Sequence, residues 1–306
     1  MESLVSFVLA LLLAPLFPGV INRTKAFVAG KQGPPLLMKY YTLAKLCRKG
    51  SVYSTSSSFV FRMGPTVSFT AALMPLLFIP LAGTAPIFSF HGDVIVLFYI
   101  MGVGRFFTIA AALDTASPFE GMGAAREAFF STLAEATIFA VLILFYRMSA
   151  SLSLADYFHG ERAVSLAGPT GALLLFVIVA MFMVLLTENS RVPVDDPQTH
   201  LELTMIHEVM ILDHSGPDLA LIEMGAFLKL LFYSVFITHL IQPLVPAGGP
   251  VVNGLLFYAI LTLVYVAVGI TESTMARFKM NLVPKYILTS FTLVFFAAIL
   301  TMGFMQ

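Results

Sequence analysis

One connector of the chain concentrates the side chains that could exchange protons. Residues 188–223 hold eight of the 17 acidic residues and three of the six histidines, and Arg191 is the only cation among them. Eight carboxyl groups cannot all pair with one guanidinium. Either another chain supplies positive charge, or several of these groups stay protonated and exchange protons, because clustered carboxylates disfavour one another's ionisation. We call residues 188–223 the acidic connector.

The rest of the chain predicts that this connector joins two membrane spans. Of the 306 residues, 58% are hydrophobic and 11% charged, and the mean hydropathy is +0.92. Apolar runs of about twenty residues match the hydrocarbon core of a bilayer, and the period-2 alternation of strands is absent. We therefore predict an all-α integral membrane protein with a single transmembrane domain over residues 1–306. Its eight predicted spans lie near 2–21, 67–88, 94–113, 129–147, 168–187, 225–245, 251–270 and 284–304.

The cations predict the orientation of these spans. Connector 22–66 carries eight Lys or Arg residues, whereas the connectors on the opposite side carry only Arg147 and Arg162. The positive-inside rule then places connector 22–66 and the acidic connector in the cytoplasm and both termini outside. The expected location is the plasma (inner) membrane of a prokaryote. A net charge of zero and the lack of a basic tract give no indication of nucleic-acid binding.

Within connector 22–66, residues 36–49 predict an amphipathic helix. At 100° per residue, the side chains of Lys39, Lys45, Arg48 and Lys49 fall on the face opposite the apolar residues. A basic amphipathic helix usually lies at the level of the lipid headgroups. The alternative is that its basic face receives a soluble partner.

In the acidic connector, the largely apolar run 201–212 predicts a buried helix. On such a helix Glu202 and Asp213 share one face, and His200, His207 and His214 follow a second face at seven-residue intervals. That interval separates the imidazoles by about 10 Å, too far to share one ion. The single cysteine, Cys47, excludes a disulfide within the chain and a cysteine-based cluster. We therefore predict no metal bound by this chain.

Ionisable residues also occur inside the predicted spans. Arg105 and Glu135 lie at similar depth from the cytoplasmic ends of the third and fourth spans. A charge at that depth costs about 2.5–3.5 kcal/mol on insertion scales, so each should face the bundle interior. Lys229 lies one turn into the sixth span, where it could pair inside the bundle or extend to the interface. His239 lies deeper in that span and is interpreted as a core histidine.

The motifs in and around these spans resemble those of a known family. The chain is similar to the quinone-site membrane subunit of respiratory complex I and to its homologues in energy-converting hydrogenases of the formate hydrogenlyase and hydrogenase-4 type. The Asp-Thr-x-Ser-Pro-Phe stretch beginning at Asp114 resembles the hydrogenase branch. The motifs that carry the resemblance are Gln32-Gly-Pro34, Arg105-Phe-Phe, Leu113 to Phe119, Gly123 to Glu127 with Glu135, Glu188 to Asp195, Glu202-Leu203, Asp213 to Gly216, and Glu272 to Arg277.

The resemblance implies roles for individual residues. Glu135, Glu188, Asp195, Glu202, Glu208 and Asp213 would belong to an acidic proton path, together with His200, His207 and His214. The balancing cations would be Arg105, Arg126, Arg191 and Lys229. Asp114, Glu127, Glu272 and Arg277 are further residues of the family motifs.

The resemblance also implies a function and partners. The chain would anchor a soluble redox arm, made of a hydrogenase-like large subunit and a small iron-sulfur subunit, and would lie beside antiporter-like membrane subunits. It would link electron transfer to proton or sodium movement without being catalytic by itself. Iron-sulfur clusters and a nickel-iron or related centre are expected in the partner subunits, not in this chain.

The chain departs from the family pattern in the acidic connector. Gln198 and His200 stand where a Glu-x-Glu pair is usual, and His214 replaces an aromatic residue. Glu208 and Asp213 are rival equivalents of one family acid. These departures count against quinone binding, so the quinone-site subunit of an NADH or ferredoxin:quinone oxidoreductase is kept as the alternative. A stand-alone ion transporter and a purely structural anchor are the remaining hypotheses.

Overall fold

The computed structural model describes residues 2–159, 164, 171–196, 205–245 and 248–304, without the side chains of 250 and 302–304. Within these ranges the secondary structure is helical, apart from one isolated bridge between Leu81 and Thr84. The α-helices, in chain order, are α1 (Glu2–Leu13), α2 (Phe17–Val28), α3 (Met38–Cys47), α4 (Phe59–Leu73), α5 (Pro75–Phe78), α6 (Asp93–Asp114), α7 (Pro118–Ser149), α8 (Leu154–His159), α9 (Gly171–Glu188), α10 (His207–Met210), α11 (Gly216–Ile241), α12 (Pro250–Thr274) and α13 (Val283–Phe304).

The described residues contain seven helices that are long and apolar enough to cross a membrane. The pair α1 and α2 would make an eighth span, but it bends by 43° at residues 14–16. Pro15 lies in this break, where its missing N–H and its ring interrupt the helical hydrogen bonds. The prediction of an integral membrane protein is supported by these helices. The first span predicted near 2–21 corresponds to this pair, which is bent at the proline and counts as one span only if both helices are taken together.

Several predicted boundaries also differ from the structure. The second span, predicted near 67–88, is helical over Phe59–Phe78, and the chain then leaves the helix at a Pro- and Gly-containing stretch. Helices α7 and α11 begin at Pro118 and Gly216, well before the predicted 129 and 225. Counting apolar residues locates the part of a helix that lies in hydrocarbon, whereas these two helices extend beyond it.

Helix α11 is the centre of the bundle. It packs against α4, α9 and α12, and every residue from Leu230 to Leu240 is buried. Apolar side chains on all sides let this helix pack against protein on every face, as they would also let it face lipid. Lys229 comes immediately before this buried stretch, so its side chain leaves the backbone at the edge of the apolar core.

Small residues bring α4 and α6 close together beside Arg105. A Cβ added to Gly104 would lie 2.6 Å from the Cβ of Ala71, and one added to Gly64 would lie 2.7 Å from the Cβ of Ala111. Glycine lets two helix backbones approach in this way, and in a membrane such close packing is a main source of helix association. The position of Arg105 is therefore fixed by its glycine neighbour.

The predicted helix over 201–212 is wrong in the part that the structure describes. Only His207–Met210 is helical there, and turns follow up to Ser215. This segment lies against α7 at Gly123, where an added Cβ would come 2.2 Å from Val209 Cγ1. Within the described residues 205–215, the segment therefore packs against α7 as one short helix and turns instead of one long helix. His200 and Glu202 lie outside the described residues.

The predicted amphipathic helix is present as α3, but its orientation differs from the prediction. Lys39, assigned to the outer basic face, turns inward: its Nζ lies 3.3 Å from Glu223 Oε2 and 5.4 Å from the centre of the Phe227 ring. The Tyr40 hydroxyl donates a hydrogen bond to the carbonyl oxygen of Leu12 at the end of α1. The ion pair with Glu223 on α11 thus turns Lys39 toward the bundle. Hydropathy alone did not predict this orientation of α3.

Candidate functional site

A buried arginine joins the carboxylates of two other helices. Arg105, on α6, donates from Nη1 to Glu135 Oε1 on α7 at 2.5 Å and from Nη2 to Glu188 Oε2 at the end of α9 at 2.9 Å. Lys229 Nζ, on α11, lies 2.9 Å from the same Glu188 oxygen. Four helices therefore meet at two carboxylates and two cations. We call these four residues the charge cluster.

The members of the charge cluster differ in exposure. The side chain of Glu188 is fully buried, and those of Arg105 and Lys229 are 12% and 23% exposed. The side chain of Glu135 is 39% exposed, although it lies in the middle of a long apolar helix. A half-exposed carboxylate at such a place is costly in lipid. The cluster is thus closed at Glu188 and open to the outside of the chain at Glu135.

A cavity of about 90 Å³ lies against the charge cluster. Its wall includes Arg105, Glu127, Glu188, His207 and Lys229. In the described structure, Oε1 of Glu188 and Nε of Arg105 are buried and make no hydrogen bond with protein. Buried polar atoms beside a cavity of this size are typical sites of ordered water, and several water molecules would fit. Proton transfer requires such a chain of closely spaced polar groups.

A second, larger cavity continues from the first toward the acidic connector. It has a volume of about 410 Å³ and lies between α2, α3, α11 and the connector. The two cavities share a wall formed by Asn189, Ser190 and His207, together with two apolar residues of α11. Glu208 and Glu223 line only the larger one. His207 thus lines both cavities, and Glu188 and Arg105 line the smaller one, where Arg105 also pairs with Glu135.

Asp195, predicted as part of the proton path, organises the connector in this structure. Its Oδ1 lies 2.8 Å from Arg277 Nη2, and its Oδ2 accepts hydrogen bonds from the backbone N–H groups of Ile206 and His207 at 3.1 and 3.2 Å. The residue is buried and lines neither of the two cavities. Its contacts hold the two ends of the segment 196–205 together, which places His207 at the cavity wall.

Glu272 joins distant parts of the chain in a second ionic cluster. Lys25 Nζ from α2 lies 2.9 Å from Oε2, and Arg191 Nη1 from the acidic connector lies 3.2 Å from Oε1. The carboxylate is almost completely buried. Arg191, predicted as a balancing cation for the proton path, therefore neutralises a carboxylate of α12. This cluster fixes the connector to α2 and α12.

The other predicted site residues lie outside the charge cluster. Asp114 Oδ2 accepts hydrogen bonds from the backbone N–H groups of Ser58 and Phe61 at the start of α4. Arg126 Nη1 donates to the carbonyl oxygen of Met205 at 2.9 Å. Asp213 is exposed, whereas the ring of His214 is buried and stacks on Phe61 at 4.0 Å. Burial lowers the pKa of His214, against the opposing effect of the neighbouring carboxylates of Asp218 and Asp213.

The sequence did not single out two residues that the structure shows to be notable, Lys25 in the cluster of Glu272 and the buried acid Glu120. Lys25 was counted only as one of many connector cations, and no pattern pointed to its pairing with Glu272. Glu120 is 1% exposed in the first turn of α7, and its Oε2 accepts no hydrogen bond from the described residues. A single acid in the first turn of a helix usually faces water, and its negative charge interacts favourably with the helix dipole. Nothing in the sequence distinguished Glu120 from that ordinary case.

Comparison with known proteins agrees with the arrangement of these helices. A family model described as NADH dehydrogenase matches residues 1–303. Hydrogenase-4 component C of Escherichia coli K12 is 28% identical, over 95% of this chain and 92% of its own length, and formate hydrogenlyase subunit 4 of the same strain is 27% identical, over 93% and 92%. NADH-ubiquinone oxidoreductase chain 1 of Arabidopsis thaliana is 25% identical, over 76% of this chain and 72% of its own length.

The fold recurs in a solved structure. A chain in the structure of the membrane-bound sulfane sulfur reductase, an archaeal respiratory membrane complex, superposes with a TM-score of 0.80 at 18% identity, over 97% of each chain. At that identity the likeness concerns the fold alone. Together with the family model, which matches nearly the whole sequence, these comparisons show that the chain belongs to the NADH dehydrogenase family of membrane subunits.

Proposed function

We propose that this chain is the membrane-anchor and coupling subunit of a complex-I-like energy-converting hydrogenase or related redox complex. The observation that carries the proposal is the charge cluster, which lies at the inner end of two adjoining cavities that lead to the acidic connector. The relatives named for hydrogenase-4 and formate hydrogenlyase cover nearly the whole chain, which supports the hydrogenase branch. The location that we propose is the inner membrane of a prokaryote.

The coupling that we propose depends on Arg105. Its guanidinium pairs with Glu135 and Glu188 at the same time. When one of these carboxylates is protonated, the other becomes the main partner of Arg105. Charge-assisted hydrogen bonds of this kind are strong, and a change of one charge is felt by both neighbours. His207 and Glu208 would deliver protons from the connector side through the larger cavity. A redox event in a partner at the connector would thereby change the protonation of Glu135.

The exposed side of Glu135 supports a lateral partner. A carboxylate that is 39% exposed on an apolar helix needs polar cover within a membrane. We propose that an antiporter-like membrane subunit covers this part of α7 and continues the path. At the other end, a soluble redox arm would dock on the acidic connector. Glu188, Asp195 and Glu223 of this connector already pair with cations from other elements of the chain, so cations of that arm would face exposed acids such as Asp213. Iron-sulfur clusters and the hydrogenase-type metal centre would belong to this arm.

The proposal is tested by separating electron transfer from ion movement. The complex would be purified through a tag on this chain, reconstituted in liposomes, and assayed for proton movement per electron with a pH-sensitive dye. Glu188→Gln should lower this ratio by about a hundredfold, the lower end of what a positioned proton-transfer group contributes. Electron transfer should continue. Asp156→Asn, which removes an exposed carboxylate of α8, is the control and should leave the ratio unchanged.

Each outcome decides a separate part of the proposal. An unchanged ratio in Glu188→Gln would refute the coupling path. Purification of the chain without a redox subunit would refute the anchor function. Proton movement catalysed by the purified chain alone in liposomes would instead support the stand-alone ion transporter.

A second candidate function is that of a quinone-site subunit, favoured by one observation. The cavity of about 410 Å³ has the volume of a small-molecule site, and its wall combines apolar side chains of α11 with Lys39, His207 and His214. These polar groups could donate hydrogen bonds to the carbonyl oxygens of a quinone ring. Extraction of the purified complex with organic solvent, followed by mass spectrometry, would reveal a bound quinone. Its absence, together with activity that needs no added quinone, would favour the hydrogenase assignment.

A further inference from the structure

We infer that the outer face of α3 binds an acidic phospholipid of the bilayer, an interaction that goes beyond the proposed coupling function. The inference starts from the distribution of charge. Residues 3–92 contain no Asp or Glu, yet residues 22–66 contain eight Lys or Arg. Two of these cations, Lys25 and Lys39, pair with acids of other helices. A group of the others, Lys45, Arg48 and Lys49, lies together at the end of α3.

One face of α3 turns outward along its whole length. Lys39, Tyr40 and Leu43 contact the bundle. Met38, Tyr41, Lys45 and Arg48 follow at intervals of three, four and three residues, so all four fall on one opposite face, and all four are exposed. We call these four residues, with the flanking Leu37 and Lys49, the outer face of α3.

The outer face is apolar at one end and cationic at the other. Its first half consists of Leu37, Met38 and Tyr41, which are 48%, 48% and 67% exposed. Its second half consists of the three exposed cations Lys45, Arg48 and Lys49. The two halves together extend over about 15–18 Å of helix at 1.5 Å per residue. This length matches a phospholipid whose phosphate lies at the cations and whose acyl chain follows the apolar end.

The mixed character of the face favours a lipid over a soluble protein. A protein-binding face rich in cations would recruit an acidic surface, but it would leave Tyr41 and Met38 against polar groups. A bilayer satisfies both halves at once, because the apolar side chains enter the acyl region while long basic side chains reach the headgroups. Each Lys or Arg near an anionic membrane surface contributes about a fivefold preference over a neutral one.

The chain itself offers a reporter for the test. It contains no tryptophan, so Tyr41→Trp places a single indole on the outer face. The full chain carrying this substitution would be reconstituted in nanodiscs of phosphatidylcholine that contain a fixed fraction of either brominated phosphatidylglycerol or brominated phosphatidylcholine. Bromine quenches tryptophan only at close range. We expect the brominated anionic lipid to quench the indole at a much lower mole fraction than the brominated neutral lipid.

Charge removal should abolish this preference. Adding Lys45→Gln, Arg48→Gln and Lys49→Gln should reduce the ratio of the two half-quenching fractions more than about tenfold, given three cations at about fivefold each. The control adds Arg147→Gln, Lys279→Gln and Lys285→Gln, which remove the same charge from exposed positions elsewhere and should leave the ratio unchanged. Higher salt should lower the ratio in the cationic chain, so the proposal stays testable even if the triple variant fails to fold.

The remaining outcomes overturn the inference. Equal quenching by the two brominated lipids would show that the face has no preference for an anionic headgroup. Quenching by neither would show that Tyr41 does not contact lipid at all. Both results concern the chain alone, without any redox partner, so they leave the proposed coupling function untouched.

Discussion

Replacing Lys229 with methionine should destabilise the protein only while Glu188 keeps its charge. In the charge cluster, Glu188 is a fully buried carboxylate held by Lys229 and by Arg105, each at 2.9 Å. Removal of Lys229 leaves the carboxylate with one cation instead of two. Methionine keeps an apolar stem of similar length, so the main loss is the ammonium group.

The contacts set the size of the effect. Removing one partner from a buried ion pair costs about 3–5 kcal/mol when nothing remains to balance the other charge. Here Arg105 remains and the Lys229 side chain is 23% exposed, so we expect a cost of about 2 kcal/mol. In a Glu188→Gln background Lys229 has lost its counter-charge, and the same substitution should be neutral or stabilising. The coupling free energy between the two positions should therefore be about 2–3 kcal/mol.

The assay is a double-mutant cycle in mixed micelles. Unfolding by increasing dodecyl sulfate would be followed by far-ultraviolet circular dichroism, because the chain has no tryptophan to report by fluorescence. Lys285→Met, at an exposed position of α13, supplies the control and should show no coupling to Glu188→Gln. Additive costs for Lys229→Met and Glu188→Gln would refute the reasoning, since independent effects mean that the two side chains do not stabilise each other.

Three further predictions concern the acidic connector and its contacts with the helices. Gly123→Ala should destabilise the protein by about 1–3 kcal/mol in the same micelle assay, because the new Cβ overlaps the segment around α10, whereas Gly121→Ala should be neutral or slightly stabilising. Because burial lowers the pKa of His214, its contribution to stability is present above its unfolded pKa of about 6.5 and is lost as the pH falls below that value. His214→Phe should therefore reduce the loss of stability between about pH 7.5 and about pH 5.5, and an unchanged loss would contradict this assignment. Asp195→Ala should remove the ion pair with Arg277 and the hydrogen bonds to Ile206 and His207, cost about 3 kcal/mol, and speed limited proteolysis between residues 196 and 205; cleavage at the rate of the unaltered chain would contradict the role given to Asp195.

Much of the fold could be predicted from apolar length alone, because a bilayer imposes helices of about twenty residues. The remaining differences have local causes. Pro15 breaks the first span although its neighbours are apolar. Helices α7 and α11 continue past the hydrocarbon region, where hydropathy no longer marks a boundary. Over the described residues 205–212, the predicted helix is limited to His207–Met210; the close packing of this segment on Gly123 depends on a residue far away in sequence.

All four residues of the charge cluster were predicted as site residues, but the ion pairs between them were not predicted. Depth counting placed Arg105 and Glu135 at one level, and they do form an ion pair. The partners of Glu188 and Arg191 could not be predicted, because pairing depends on which faces of α9, α11 and α12 meet. The assignment of Asp195 to the path stays a prediction, and the sequence did not indicate its hydrogen bonds to the backbone of Ile206 and His207. The sequence alone does not distinguish a carboxylate that transfers protons from one that fixes a loop.

The ionic contacts of Glu272 can form only late in the synthesis of the chain. Lys25 is synthesised near the beginning and Glu272 near the end, yet the two ions are in contact in the finished protein. During translation the ammonium of Lys25 and the guanidinium of Arg191 remain without this anion until α12 has entered the bilayer. A nascent polypeptide that ends before α12 therefore has Lys25 and Arg191 but lacks the carboxylate that both contact in the complete fold. The cluster can therefore form only after α12 has been made, when α13 is the one described α-helix still to follow.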